Sequence, residues 1–534
     1  MKSNFFKIIF LNLLFISSLF ANSFEEDINK LKTNSLKTKQ QVVNEITEKY
    51  IDDERTNVLL LKMREGNLFY TKKDEVFVTL EKKDGSLYHM KIFLTNELLA
   101  PAKKSQFKKV KTNNKLRSII KTKLAEMNLF SKNRNKRFSS AKNILLNVSN
   151  EFEGLINKAL ESEKDSSIRE KLLEAKTILN AQNLKGEEQI KAVKELSEYI
   201  SSKALSTLKQ IADSSNSSKQ LKNVALKAIS SVETTRSYWS VVETAFFGLS
   251  MGSVLLLAAI GLAITFGVMK VINMAHGEMI MIGAYTTYTL QQIMPGLIEY
   301  SILIAIPAAF IVSAIVGIII ERLVIRHLYG RPLETLLATF GISLILQQIV
   351  RTIYSPLNQE VKTPSWMSGA LEVNSALSLT YNRLYIIIFA LIVFVSILLL
   401  LNKTSLGLKV RAVTQNRQMA QAMGIKTSWI DAITFGLGSG IAGIAGVALS
   451  QLTNVGPNLG QAYIVDSFMV VVFGGVGNLW GTLIAAVTLG EINKFIEPFA
   501  GAVLAKVIIL VFIILFIQKR PRGLFPQKGR DAQD

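Results

Sequence analysis

Asn273, His276 and Glu278 stand close together in the run Gly267-Val268-Met269-Lys270-Val271-Ile272-Asn273-Met274-Ala275-His276-Gly277-Glu278, among small residues and between long apolar stretches. An amide, an imidazole and a carboxyl are each costly in hydrocarbon. At membrane depth such groups mark a route for a solute or a proton. The other reading is a short interfacial turn whose polar groups cap the helix that follows. Asp466, Gly475 and Asn478 raise the same question further along, as do Glu491 and Asn493. Asp466 and Glu491 also read as the ends of segments.

Other chemistry is excluded more easily. The chain has no cysteine and only His89, His276 and His327 as histidines, so thiolate sites and His-rich metal sites are out. Gly438-Ser439-Gly440-Ile441-Ala442-Gly443 matches the dinucleotide pattern in spelling, but no strand–helix–strand unit surrounds it. Glycines at that spacing in an apolar helix allow close helix packing instead. There is no GxxxxGK[ST] loop and no HExxH. No cofactor or metal is expected, and any ATP-driven step needs another subunit.

The groups must be positioned by two unlike parts. The 534 residues carry 62 Lys+Arg against 41 Asp+Glu, a net charge of +21, yet are 49% hydrophobic. Lys2 and Lys7 flank an apolar run, Ile8 to Phe20, which is too short for a stable span. Ala21 and Ser23 follow at the spacing of a signal-peptide cleavage site. Residues 1–23 are therefore expected to be removed, and residues 24–236 to form an exported, mainly helical domain. Its helices, IREKLLEAKTIL among them, would pack as stacked hairpins with Ile168, Leu172, Leu173, Ala175 and Leu179 on one face. Residues 68–95 predict a small β-hairpin insertion, turned at Asp84-Gly85. The stretch Lys103–Arg137 is strongly basic. Outside the cytoplasm this reads as a solvated or lipid-facing surface, and nucleic acid is not expected as a partner.

Residues 237–520 predict an all-α polytopic membrane domain, followed by a cytoplasmic tail at 521–534. Apolar segments fall near 244–268, 272–292, 301–320, 333–353, 384–401, 428–451, 464–491 and 502–517. Lys and Arg gather at 321–332, at 402–427 and after 519, so these face the cytoplasm. The loops at 291–300 and 355–382 then face outward, as does Val241. An outside start and an inside end need an odd number of crossings, whereas about eight segments are visible. At least one is broken or re-entrant, with 464–491 the first choice and Met269–Gly277 the second.

The loop Thr404–Ile425 alternates cations with apolar residues: Leu408, Arg411, Ala412, Arg417, Met419, Ala420, Ala422, Met423, Gly424. Two readings stand, a short helix docking into a partner's groove and one lying on anionic lipid.

GLAITFGVMKVINMAHGEMIMIGAY, Met419-Ala420-x-x-x-Gly424 and VVFGGVGNLWGT together resemble the permease subunits of branched-chain amino acid-type ABC importers, over nearly all of 241–525. Within that family AVTQNRQMAQAMGI, NKFIEP and FIQKRPRGLFPQKGR are most similar to the urea-transport branch. The resemblance implies alternating access in a bacterial inner membrane, with a second homologous permease, two ATP-binding subunits and a periplasmic solute-binding protein. It makes Ala420–Gly424, with Arg411, Arg417 and Met419, the loop coupled to the ATPase. Asn273, His276, Glu278, Asp466, Gly475 and Asn478 become substrate-pathway candidates. Urea is the expected solute, with branched-chain amino acids or short amides as the alternative. A reading from another class is a periplasmic sensor with a membrane bundle. The third, an intramembrane enzyme, lacks paired catalytic groups, so the chain is expected to be a transport subunit.

Overall fold

The computed structural model describes residues 24–51, 53–84, 87–215, 217–269 and 271–525. The run Ile8–Phe20 and the cleavage site after Ala21, the turn residues Gly85 and Ser86, Lys270 and the tail cations Lys528 and Arg530 lie outside the described residues. About 75% of the structure is helical. Two compact units meet between Thr235 and Arg236.

In the N-terminal unit, short polar side chains start the helices. Ser35 caps α1 (Leu36–Lys49), Asp53 caps α2 (Glu54–Glu65) and Asn113 caps α3 (Asn114–Leu129), each accepting a backbone N–H of the first turn. Val42, Ile46, Leu59, Met63, Leu116 and Ile120 of these helices share a core with Leu68 and Phe77. The last two belong to a sheet of β1 (Leu68–Thr71), β2 (Phe77–Asp84), β3 (Leu87–Ile92), β4 (Leu98–Lys103) and β5 (Phe107–Lys109). The order is β4-β3-β2-β1-β5 with antiparallel pairs throughout. The expected hairpin is thus the β2–β3 pair of a five-stranded sheet. Of the three added strands β1 is interior and the other two are the edges: β4 carries Pro101, and β5 carries Lys108 and Lys109, residues that suit an edge and mask a strand in the sequence.

A second core joins α4 (Arg134–Leu146), α5 (Glu153–Ser162), α6 (Ser166–Asn183), α7 (Glu187–Leu196) and α8 (Ser202–Asp213). In α6, Ile168, Leu172, Ala175 and Leu179 are buried as expected, but Leu173 is exposed. It lies about 100° around the helix from Leu172 and falls off the packed face.

The second unit begins within α9 (Lys219–Met269). It continues with α10 (His276–Ile293), α11 (Ser301–Leu323), α12 (Pro332–Tyr354), α13 (Tyr381–Lys403), α14 (Ser405–Gln415), α15 (Arg417–Ala422), α16 (Thr427–Ser450), α17 (Leu459–Gly474) and α18 (Leu479–Lys519). Among the described residues six helices are long and apolar enough to cross a membrane: α9, α11, α12, α13, α16 and α18. Their patterning is inverted relative to a water-soluble helix. On α11, Ile311, Ile315 and Ile319 point outward while Ser313 and Gly317 are buried.

Two expected segments change character. The stretch 464–491 is shared between α17 and α18, parted by a turn at Gly475–Asn478. The start and end of α18 lie together, since Asn478 Nδ2 donates to Phe525 O at 3.2 Å. A straight helix of 41 residues would separate them by about 60 Å. The chain reverses at Gly501, whose φ of 79° is open to glycine, three residues after Pro498. The expected segment 502–517 is the returning limb. The stretch 272–292 is not among the six long apolar helices, because α10 opens on His276, Gly277 and Glu278.

Candidate functional site

After Met269 the chain turns back into the bundle. His276 Nε2 donates to Ala258 O at 3.0 Å, about three helical turns back along α9. α10 therefore starts deep inside the unit, and its first turn is buried. Asn273 Oδ1 accepts the Ala275 N–H at 3.0 Å, so its side chain closes a turn just ahead of α10. His276 has no partner at Nδ1 among the described residues. Glu278 Oε1 accepts from Ser343 Oγ and Gln347 Nε2, both at 2.8 Å, while Oε2 has no partner.

Both donors come from α12. Thr335, Thr339, Ser343 and Gln347 recur every fourth residue and are all buried, forming one polar stripe on an otherwise apolar helix. Thr339 Oγ1 also takes the Met274 N–H at 3.1 Å, so the stripe holds both the turn and the acid. Sequence reading missed these residues. Their spacing is the signal that reveals them.

The start of α17 meets the start of α10. A Cβ on Gly277 would lie 2.6 Å from Gly460 O, so only glycine allows the two backbones this approach. From there α10 runs toward Ile293, and α17 toward Gly474 and residues 520–525. The arrangement brings the starts of α10 and α17, each the positive end of a helix dipole, together at the backbone of Gly277 and Glu278.

The remaining candidates lie apart. Asp466 pairs with Lys506 Nζ of the returning limb of α18 at 2.8 Å. Gly475 and Asn478 form the turn before α18: Asn478 Oδ1 caps Gly481 N, and Leu524 and Phe525 donate to the carbonyls of Phe473 and Gly474. This turn packs on Gly267, near the end of α9. The structure therefore brings together Asn273, His276 and Glu278, and leaves Asp466, Gly475 and Asn478 elsewhere.

α14 and α15 pack Val410, Val413 and Ala420 against Ile430 and Val268. Arg411 Nη1 donates back to Leu401 O. Arg417 forms a two-nitrogen ion pair with the buried carboxylate of Asp431, and its guanidinium carbon sits 4.5 Å from the Tyr329 ring centroid. Burial opposes the charge on Arg417, and the bonds to Asp431 more than offset it, raising its pKa. The outward groups include four large apolar ones, Leu408, Met419, Met423 and Trp429, each more than half exposed, beside the exposed Lys409, Arg411, Gln418 and Gln421. Gly424 has φ of 82°, with open space where a side chain would stand.

Residues 244–517 match the family described as branched-chain amino acid transport system, permease component. The high-affinity branched-chain amino acid transport system permease protein BraD of Pseudomonas aeruginosa is 30% identical over 287 residues, 52% of this chain and 93% of that protein. LivH of Escherichia coli, of the same description, is 28% identical over 294 residues, 53% of this chain and 94% of its own. The ribose import permease protein RbsC of E. coli is 27% identical over 227 residues, 41% and 68% of the two chains. No solved structure matches. The urea expectation finds no support in these relatives, whereas the amino acid alternative does. The relatives are transport permeases and not enzymes. With this match laid along the second unit, the chain belongs to the family of branched-chain amino acid ABC transporter permease components.

Proposed function

We propose that this chain moves an apolar amino acid through a membrane as one permease of an ABC importer, and that the break at Asn273–Glu278 lines the route. The observation that carries this reading is Glu278: one carboxyl oxygen is held by Ser343 and Gln347, and the other has no partner among the described residues. An α-ammonium suits the free oxygen, and an α-carboxylate suits helix N-termini. Urea carries neither charge. The names of BraD and LivH support the same solute class.

The Lys and Arg distribution supports an orientation with residues 24–236 outside and α14–α15 and the tail in the cytoplasm. In that orientation Leu408, Met419, Met423 and Trp429 face an ATP-binding subunit. A second permease, two such subunits and a periplasmic solute-binding protein complete the assembly. The passes are nine in this reading, with α10 and α17 each completing a crossing that irregular backbone begins. That count satisfies the odd parity.

Labelled leucine uptake in a deletion strain carrying the chain tests the proposal, with valine, urea and short amides as competitors. Competition by valine and not by urea is expected. Uptake blocked by urea and indifferent to valine overturns the solute class.

A further inference from the structure

We propose that the N-terminal unit carries a binding site for a small amphipathic carboxylate, in a cavity of about 550 Å³ between α2, α3 and α4. The volume lies in the range of small-molecule sites, about 300–1,000 Å³. Its floor is apolar, made by the buried Leu124, Ile144 and Phe152 with Leu61 at the side. Its charged groups are all cations: Arg64, Lys121 and Lys136 line it, and no Asp or Glu does.

The three cations differ. Lys136 is paired with Glu54 at 2.8 Å, outside the lining. Lys121 Nζ stands 5.0 Å from the Phe152 ring centroid, so it joins the apolar floor to the charged side. Arg64 and Lys121 have no carboxylate partner among the described residues. Two cations facing a cavity with an apolar floor favour a ligand with an anionic head and a short aliphatic body. An added ammonium group would meet only like charge, so the site discriminates against zwitterions such as leucine. It is independent of the transported solute.

The test is calorimetry on the full chain in lipid nanodiscs, with isocaproate, isocaproamide and leucine as probes. Isocaproate is expected to bind, and isocaproamide to bind about tenfold more weakly. Binding of the acid should fall about tenfold in the Arg64→Gln/Lys121→Gln double variant and in Leu61→Trp, which fills the cavity without changing charge. Any leucine signal should be the same in wild type and variants. Circular dichroism checks each fold, and Leu61→Trp carries the test if the double variant unfolds. Equal binding of acid and amide, no heat from isocaproate, or binding that survives the variants overturns the proposal.

Discussion

Arg417 and Asp431 tie the six-residue α15 to the first turns of α16, and Tyr329, in the connection between α11 and α12, covers the pair. A short helix has little stability of its own, so its position is set by what it is fastened to. Here that is a long apolar helix and the linker between two others. A force on α15 therefore reaches three spans through one guanidinium.

Asp431→Asn is expected to destabilise the protein by about 2 kcal/mol, because it leaves Arg417 without its counter-ion. Replacing both partners, as Arg417→Met with Asp431→Leu, should recover most of that loss in thermal melts. If the pair transmits motion, solute-stimulated ATP hydrolysis stays lost in the double variant of the assembled importer. Recovery of both would reduce the pair to packing.

Glu278→Gln should cut leucine uptake by about tenfold or more with unchanged protein level, and Gln347→Leu should raise the apparent KM. Asn273→Ala should cost about 1 kcal/mol as a lost turn hydrogen bond, while Asn273→Asp keeps it. Transport assays beside melting curves separate the two roles. Wild-type uptake by Glu278→Gln would remove the carboxyl from the route.

Gly277→Ala should cost about 1–3 kcal/mol, since its methyl group would meet the Gly460 carbonyl. Gly341→Ala on α12 meets nothing within 4 Å and should be neutral or slightly stabilising. Size-exclusion profiles and melting temperatures of the two variants are the check.

In the N-terminal unit, hydrogen bonds from Lys49 and Lys30 hold the Asp27 carboxyl down at about 2, against an ordinary 3.8. A depressed acid stabilises the fold above its unfolded pKa, and that gain is lost as pH falls through the folded value. The window is therefore between about pH 4 and pH 2. Asp27→Asn should flatten the stability curve there by up to about 2 kcal/mol. Melting followed across that range measures it, and parallel curves for the two proteins would count against the ion pairs.

What was legible in the sequence follows from period and composition. The apolar runs marked the spans, and glycines marked the break at Gly475–Asn478. The separate segments 464–491 and 502–517 already implied a reversal between them, and Gly501 is where it falls. Two limits were physical. The partners of Glu278 lie 65 and 69 residues away, and no local pattern ties them to it. The basic stretch Lys103–Arg137 looked like a free charged surface. In the fold Lys123, Arg134, Lys136 and Arg137 are paired with Glu126, Asp165, Glu54 and Glu163, and Lys108 and Lys109 lie over Tyr70 and Phe69. Three of the four ion pairs reach acids outside the stretch, so the residues around these cations do not disclose them.

The turn before α18 has a further consequence for assembly order. The carbonyls of Phe473 and Gly474 and the side-chain amide of Asn478 find their partners in Leu524 and Phe525, after the whole of α18 has been made. While α17 and the outgoing limb of α18 enter the bilayer, that end of the chain is still open. It closes only when the returning limb brings the tail back, so the order of synthesis delays the latch until both limbs are in place. Slow or failed return of that limb would leave an incomplete bundle with an exposed turn, a natural mark for quality-control proteolysis.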